Sequence, residues 1–147
     1  IGYGERLDTL QAAILRVKLG PLAGWIDARR RLAARYTSLL AEFEITLPYV
    51  APEADPAWHL YVIRTPYRND MLDFLQARGI GAGVHYPTPL HLQPAYAHLG
   101  YQRGELPITE IVADTCLSLP IYPEMTDQQQ DRVVNAVRAF LDQELSS

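Results

Sequence analysis

One cysteine, one lysine and no long apolar run: this chain of 147 residues is marked first by what it has little of. A single cysteine, Cys116, excludes an internal disulfide and any zinc cage built from several thiolates. It stands in the apolar run CLSLPIY (116–122), where a buried, unreactive thiol is expected. Lysine is equally scarce. Of 13 basic residues all but Lys18 are arginine, so chemistry that needs a side-chain amine has one candidate. No segment approaches the ~20 apolar residues needed to cross a bilayer, and the polar, glycine-bearing start does not read as a leader. The net charge of -4 comes with basic residues dispersed among acids, without a phosphate-tracking stripe or a polybasic patch. Neither nucleic acid nor membrane is an expected partner, and a cytoplasmic location is the expectation. Glycines 79, 81 and 83 do not form a dinucleotide fingerprint, because no helix opens after them to offer its N-terminus to a phosphate.

What is present describes an ordinary folded domain: 48% of the residues are hydrophobic and 20% charged, enough for one real core. Leu7, Leu10, Ile14 and Val17 recur at helical spacing, with Glu5 and Asp8 at the start, where negative charge suits a helix. Gly20 and Pro21 stop this first helix, and a longer one follows. Its stripe runs from Leu22 through Trp25, Ile26, Leu32, Ala33, Tyr36, Leu39 and Leu40 to Phe43, interrupted only by Arg29. The run ITLPYVAPEADPA (45–57), with three prolines, reads as an extended connection, and a boundary between sub-structures is expected there.

Beyond it the pattern predicts strand, helix, strand, helix, strand, helix. WHLYVIRT (58–65) has the aromatic and β-branched content of a strand covered on both sides. NDMLDFLQARG (69–79) predicts a helix with Asn69 as N-cap and Gly79 as its stop. IGAGVHYP (80–87) predicts a second strand ended by Pro87, and CLSLPIY a third. LPITEIVADT (106–115) predicts a helix with Pro107 in its first turn. The closing helix has a capping box at Thr126 and Gln129, with Val133, Val134, Val137, Phe140 and Leu141 on its buried face. The fold class expected is α/β, of α+β-like character: two helices, then a few-stranded sheet packed with helices.

Chemistry concentrates in GIGAGVHYPTPLHLQP (79–94). His85, His91 and His98 match no metal-ligand spacing, and prolines separate them, so no metal site is expected. His85, Tyr86 and Pro87 end a predicted strand and lead into a stiff loop bearing His91 and Gln93. Imidazole, phenol and amide suit a polar, hydroxyl-rich ligand, and a rigid loop loses little entropy when it binds. The same residues also suit a purely structural loop capping a sheet edge; composition leaves both readings open. Arg6 either pairs with Glu5 or Asp8 or reaches an anion.

Taken in order, GYGERLDTLQAAILRVKL, RRRLAARYTSLL, WHLYVIRT, LQARGIGAGVHYPTPLHLQPAYAHLGY and CLSLPIYPEMTDQQQDRVVNAVRAFL resemble consecutive blocks of the DegT/StrS family of pyridoxal-phosphate-dependent sugar aminotransferases. The resemblance runs over the whole chain but only over the C-terminal part of such an enzyme. It implies the C-terminal domain of the aspartate-aminotransferase type fold, with a largely antiparallel sheet: residues 1–48 as a helical link from a missing large domain, residues 49–147 as the small domain. It implies amino transfer to nucleotide-linked keto sugars in homodimers, with pyridoxal 5'-phosphate held on a lysine of the large domain. No cofactor is expected on this chain alone, since Lys18 borders an exposed amphipathic stripe without the enclosure that activates an amine. The opening block resembles the family's G-Y-N-x-R-[LM]-D segment; Arg6 matches, on the phosphate side of the partner subunit, while Gly4 replaces the asparagine. His85 and Tyr86 match the family's H-Y-P segment near the sugar nucleotide, and His91 follows in the same loop. The isolated chain is expected to be inactive, and Ile1 in place of methionine suits a segment of a longer chain. Two rival functions fit the same residues: a non-catalytic interaction or dimerisation module, and a nucleotide-sugar-binding sensor.

Overall fold

The computed structural model describes residues 7–144, so Arg6 and Gly4 lie outside the described residues. Helix α1 (Thr9–Leu19) is capped by Asp8, whose carboxylate accepts the Leu10 amide at 2.8 Å. Helix α2 (Leu22–Leu40) follows after the Gly20-Pro21 break. Then come β1 (Tyr61–Arg64), α3 (Arg68–Ala77), two short 3-10 turns (Leu90–Leu92 and Pro94–Leu99), α4 (Pro107–Thr115), β2 (Cys116–Leu119) and α5 (Asp127–Glu144).

The core forms where α2, α3 and α5 pack over the two strands. Leu32, Ala33, Tyr36 and Leu40 of α2 meet Val133, Val134, Val137, Phe140 and Leu141 of α5, with Met71 and Leu75 of α3 beside them. Strands β1 and β2 pair antiparallel with Tyr61 opposite Leu119 and Ile63 opposite Leu117, and these four residues face that core. Aromatic rings thicken the layer: Tyr36 and Tyr61 lie 5.0 Å apart, and Trp58 lies 5.6 Å from Tyr61. Two buried polar side chains between the helices find partners. The Tyr36 hydroxyl donates to the Pro120 carbonyl at 3.0 Å, and buried Gln130 donates to the Leu32 carbonyl at 2.7 Å while accepting from Arg35 at 3.1 Å. Burial drives the Tyr36 phenol well above its ordinary pKa, with the Tyr122 and Tyr61 phenols adding to the shift and Arg35 opposing it.

The expected fold class holds, with local differences. Residues 80–87 are not a regular strand: Gly83 makes a single antiparallel bridge to Ser118, and the Ala82 amide turns back to the Ile80 carbonyl at 2.8 Å. Glycines weaken a ladder and Pro87 offers no donor to extend it. Strand β1 starts three residues later than expected because Trp58 has φ 51°, off the extended path. Strand β2 ends at Leu119, before Pro120. Asn69 is not a cap; α3 already begins at Arg68, after a turn in which the Thr65 hydroxyl accepts the Tyr67 amide at 3.3 Å. Gly79 does stop α3, at φ 69°, with the Gly79 and Ile80 amides donating to Gln76 and Leu75 in a Schellman pattern. The Thr126 and Gln129 capping box is closed in both directions, at 2.9 and 3.2 Å.

Helix α1 stands apart. It buries no residue, and Leu10, Ile14, Val17 and Leu19 are all more than half exposed. Among the described residues no helix is long and apolar enough to cross a membrane.

Gly79→Ala tests the fold at its sharpest backbone demand. The added methyl meets only the Arg132 guanidinium at 3.5 Å, an ordinary contact, so the cost comes from holding an L-residue at positive φ. A loss of about 1–2 kcal/mol is expected in urea unfolding. An unchanged midpoint would contradict the assigned cap.

Candidate functional site

The face of β2 turned away from the core organises the site. Cys116 and Ser118 point there, since Leu117 and Leu119 face inward. Ser118 exchanges two backbone hydrogen bonds with Gly83, at 2.8 and 3.1 Å, which carries the 83–85 segment along the free edge of β2. Two residues on, the His85 Nδ1 meets the Ser118 hydroxyl at 3.0 Å. Glycine at 83 makes this possible: a Cβ there would lie 3.2 Å from Cε1 of the His85 ring. The strand pairing and the side-chain bond together aim His85 and the residue after it.

Tyr86 follows directly, 73% exposed, with its ring edge-on to His85 at 5.6 Å between centroids. With Pro87, Thr88, Gln93, Pro94 and Ala95 it lines an open cleft of about 350 Å³. The cleft offers a phenol, a hydroxyl and an amide on a proline frame, donors and acceptors suited to a polyhydroxylated ligand. A depression of similar size, about 360 Å³, lies between Gly79, Tyr122 and Arg132 and includes neither His85 nor Tyr86.

The structure places His91 elsewhere. It is buried, and its Nε2 meets the Glu110 carboxylate of α4 at 3.0 Å. The same carboxylate accepts the Gly104 amide on both oxygens, at 2.9 and 2.8 Å, and the Leu106 amide at 3.3 Å. Burial raises the Glu110 pKa, but the Gly104 amide, the His91 hydrogen bond and the Leu106 amide outweigh it and hold the carboxyl below its ordinary value. Of the predicted residues Tyr86 therefore lines the cleft, His85 precedes it bonded to Ser118, His91 is buried against Glu110, and Arg6 is outside the described residues. Ser118 and Glu110 were not singled out in the sequence. A serine inside CLSLPIY and a glutamate inside LPITEIVADT, polar residues interrupting apolar patterns, were the available signals.

The residues present do not fit pyridoxal phosphate as its covalent carrier. Lys18 is exposed on α1, among side chains that bury nothing, without the enclosed pocket a covalent carrier needs. No group of three His, Cys, Asp or Glu able to hold a metal occurs among the described residues. Cys116 is buried, as expected of an inert thiol.

Because Glu110 is held below its ordinary value, its contribution to stability is complete above the unfolded-state pKa and is lost as pH falls through the folded value. The urea midpoint is therefore expected to drop as pH falls below about 4.5, with a shallower drop for Glu110→Gln. Parallel pH profiles for the two proteins would contradict the assignment.

The DegT/DnrJ/EryC1/StrS aminotransferase family model matches residues 1–138. A pleiotropic regulatory protein of Geobacillus stearothermophilus is 46% identical over 143 residues, 95% of this chain and 38% of its own length. The dTDP-3-amino-3,4,6-trideoxy-alpha-D-glucose transaminase of Streptomyces venezuelae is 46% identical over 140 residues, 95% of this chain and 37% of that one. Among solved structures, S. venezuelae DesV in complex with a ketimine intermediate superposes with a TM-score of 0.88 at 47% identity, over 92% of this chain and 37% of that one. The chain thus spans less than two-fifths of the length of the relatives it matches. Family and structural neighbours are pyridoxal-phosphate-dependent aminotransferases. With its fold, its length relation and its residues 1–138 all agreeing, this chain belongs to the DegT/DnrJ/EryC1/StrS aminotransferase family.

Proposed function

We propose that this chain is the C-terminal part of a pyridoxal-phosphate-dependent aminotransferase acting on nucleotide-linked keto sugars in amino-sugar biosynthesis. In this reading residues 1–48 link it to a larger portion, with α2 packed into the core of the small domain, and residues 49–147 complete that domain, which contributes one wall of the substrate pocket. The observation that carries it is the His85–Tyr86 segment: the imidazole is locked to Ser118 at 3.0 Å, and Tyr86 is left 73% exposed over a proline-framed cleft. Such an arrangement is preorganised for a ligand, because the Gly83 bridge and the His85 bond to Ser118 hold its base before anything binds. The exposed apolar side of α1 supports the second half of the proposal. Leu10 at 75% and Val17 at 77% exposure form a face that suits burial by the larger portion, or across a homodimer. The cofactor, when bound to the larger portion, supplies the electron sink for amino transfer; this chain's residues orient the sugar. A cytoplasmic location accords with such biosynthetic chemistry.

A second reading, a nucleotide-sugar sensor that keeps the wall without the chemistry, is favoured by the name of the Geobacillus stearothermophilus relative, a pleiotropic regulatory protein.

In the complete protein, Tyr86→Phe and His85→Ala are expected to raise the KM for the nucleotide sugar on the order of tenfold, with a smaller effect on the amino donor. Equal KM values in variant and parent would remove His85 and Tyr86 from the pocket. Incubating this chain with pyridoxal phosphate and then borohydride is expected to leave its mass unchanged, whereas stoichiometric labelling at Lys18 would overturn the assignment of the covalent site to the larger portion.

A further inference from the structure

We propose that Glu110 is a positioning residue for the substrate wall: its carboxylate clamps His91 and the 104–106 loop to α4 and thereby sets the arch that presents Tyr86. The inference rests on the reading of His85 and Tyr86 as pocket residues.

The wall segment has two ends, and each is tied to the same rigid unit. At one end His85 is bonded to Ser118 of β2. At the other, His91 is bonded to Glu110 of α4, and α4 runs straight into β2 at Thr115–Cys116. Tyr86, Pro87, Thr88, Pro89 and Leu90 arch between these anchors, and two prolines leave the arch few shapes once its ends are set.

Little else holds the far side. Residues 94–109 are all exposed, so apolar burial does not fix the loop that passes from the arch back to α4. The Arg103–Asp114 pair lies in solvent, with side chains 60% and 46% exposed, where ion pairs contribute little. The Tyr101 ring leans edge-on against His91 at 6.0 Å. By contrast the Glu110 and His91 side chains are only 7% and 5% exposed, and four contacts converge on one carboxylate.

The chemistry also requires a carboxylate. All its partners donate: two backbone amides and, since an ionised carboxylate can only accept, the His91 Nε2–H. A glutamine of the same size would turn an NH₂ group toward one of those donors. Glu110→Gln therefore opens the clamp with almost no change in volume, and Glu110→Asp keeps the charge but shortens the reach.

The test uses the complete enzyme loaded with its cofactor, and as probe thymidine or uridine diphosphoglucose, whichever the unaltered enzyme binds. For Glu110→Gln the dissociation constant is expected to rise on the order of tenfold, while the half-reaction with the amino donor that the unaltered enzyme uses, read from the cofactor's visible absorbance, stays within about twofold. Hydrogen exchange is expected to quicken within residues 86–106 and to stay unchanged in β1 and α5. Adding Tyr86→Phe to Glu110→Gln is expected to weaken binding no further than the worse single variant, the mark of two residues acting as one unit. Glu110→Asp is expected to restore part of the affinity. Unchanged exchange in Glu110→Gln, or additive losses in the double variant, overturns the proposal. So does exchange that rises equally in β1 and α5 with the amino-donor half-reaction lost in step, which would mark Glu110 as a general stabiliser. Weaker binding in Tyr86→Phe with none in Glu110→Gln sinks the proposal alone; no loss in either sinks the pocket reading beneath it.

Discussion

Strand β2 is buried at all four of its residues, yet one of them is a serine. That constraint shapes the rest of the structure. Leu117 and Leu119 supply the inward face on which α2, α3 and α5 close, while the outward face must be covered by something that can satisfy a hydroxyl. The 83–85 segment meets that requirement: Gly83 pairs with the Ser118 backbone and the His85 ring partners the hydroxyl. Core and candidate site are therefore two sides of one short strand, and the site inherits the rigidity of the core.

Around that strand the molecule uses two different means of holding its chain. Inside, apolar faces from three helices interlock, and the few buried polar groups, such as Gln130, find partners across the helix pair. Outside, in the long excursion from Pro87 to Leu106, little apolar surface is buried, since Leu90, Tyr96, Leu99, Tyr101 and Leu106 stay exposed, and order comes from prolines, a buried carboxylate and backbone amides. This division suits a binding wall. A loop packed into the core has no free surface to offer, and a loop with no anchors loses affinity to ordering on contact.

Helix α1 shows where the chain stops being self-sufficient. It is well capped and regular, but its leucines, isoleucine and valine face solvent, and the relatives it matches are more than twice as long. Isolated helices of this length are marginal in water, so a face of this kind is ordinarily stabilised by packing. The described residues build one closed core, made largely from α2 onward, and leave one helix still to be covered.

The periodic elements were legible from residue order because their causes are local. Helical spacing placed α1, α2 and α5, and end signals placed α3 and α4; the Thr126 and Gln129 box and the Gly79 stop were visible because a cap involves neighbours only three to five residues apart. The resemblance of its motif blocks likewise pointed to the family and to His85 and Tyr86. The strand ends and the 80–87 segment were less legible, since whether an extended stretch becomes a strand depends on what lies beside it. The partners that set the site were not legible at all. Ser118 and His85 are 33 positions apart and Glu110 and His91 are 19 apart. Nothing in their spacing announces the pairing, because hydrogen bonds between distant residues are chosen by the closing of a core that residue order only outlines; local periodicity decided the elements, and packing decided which polar groups met.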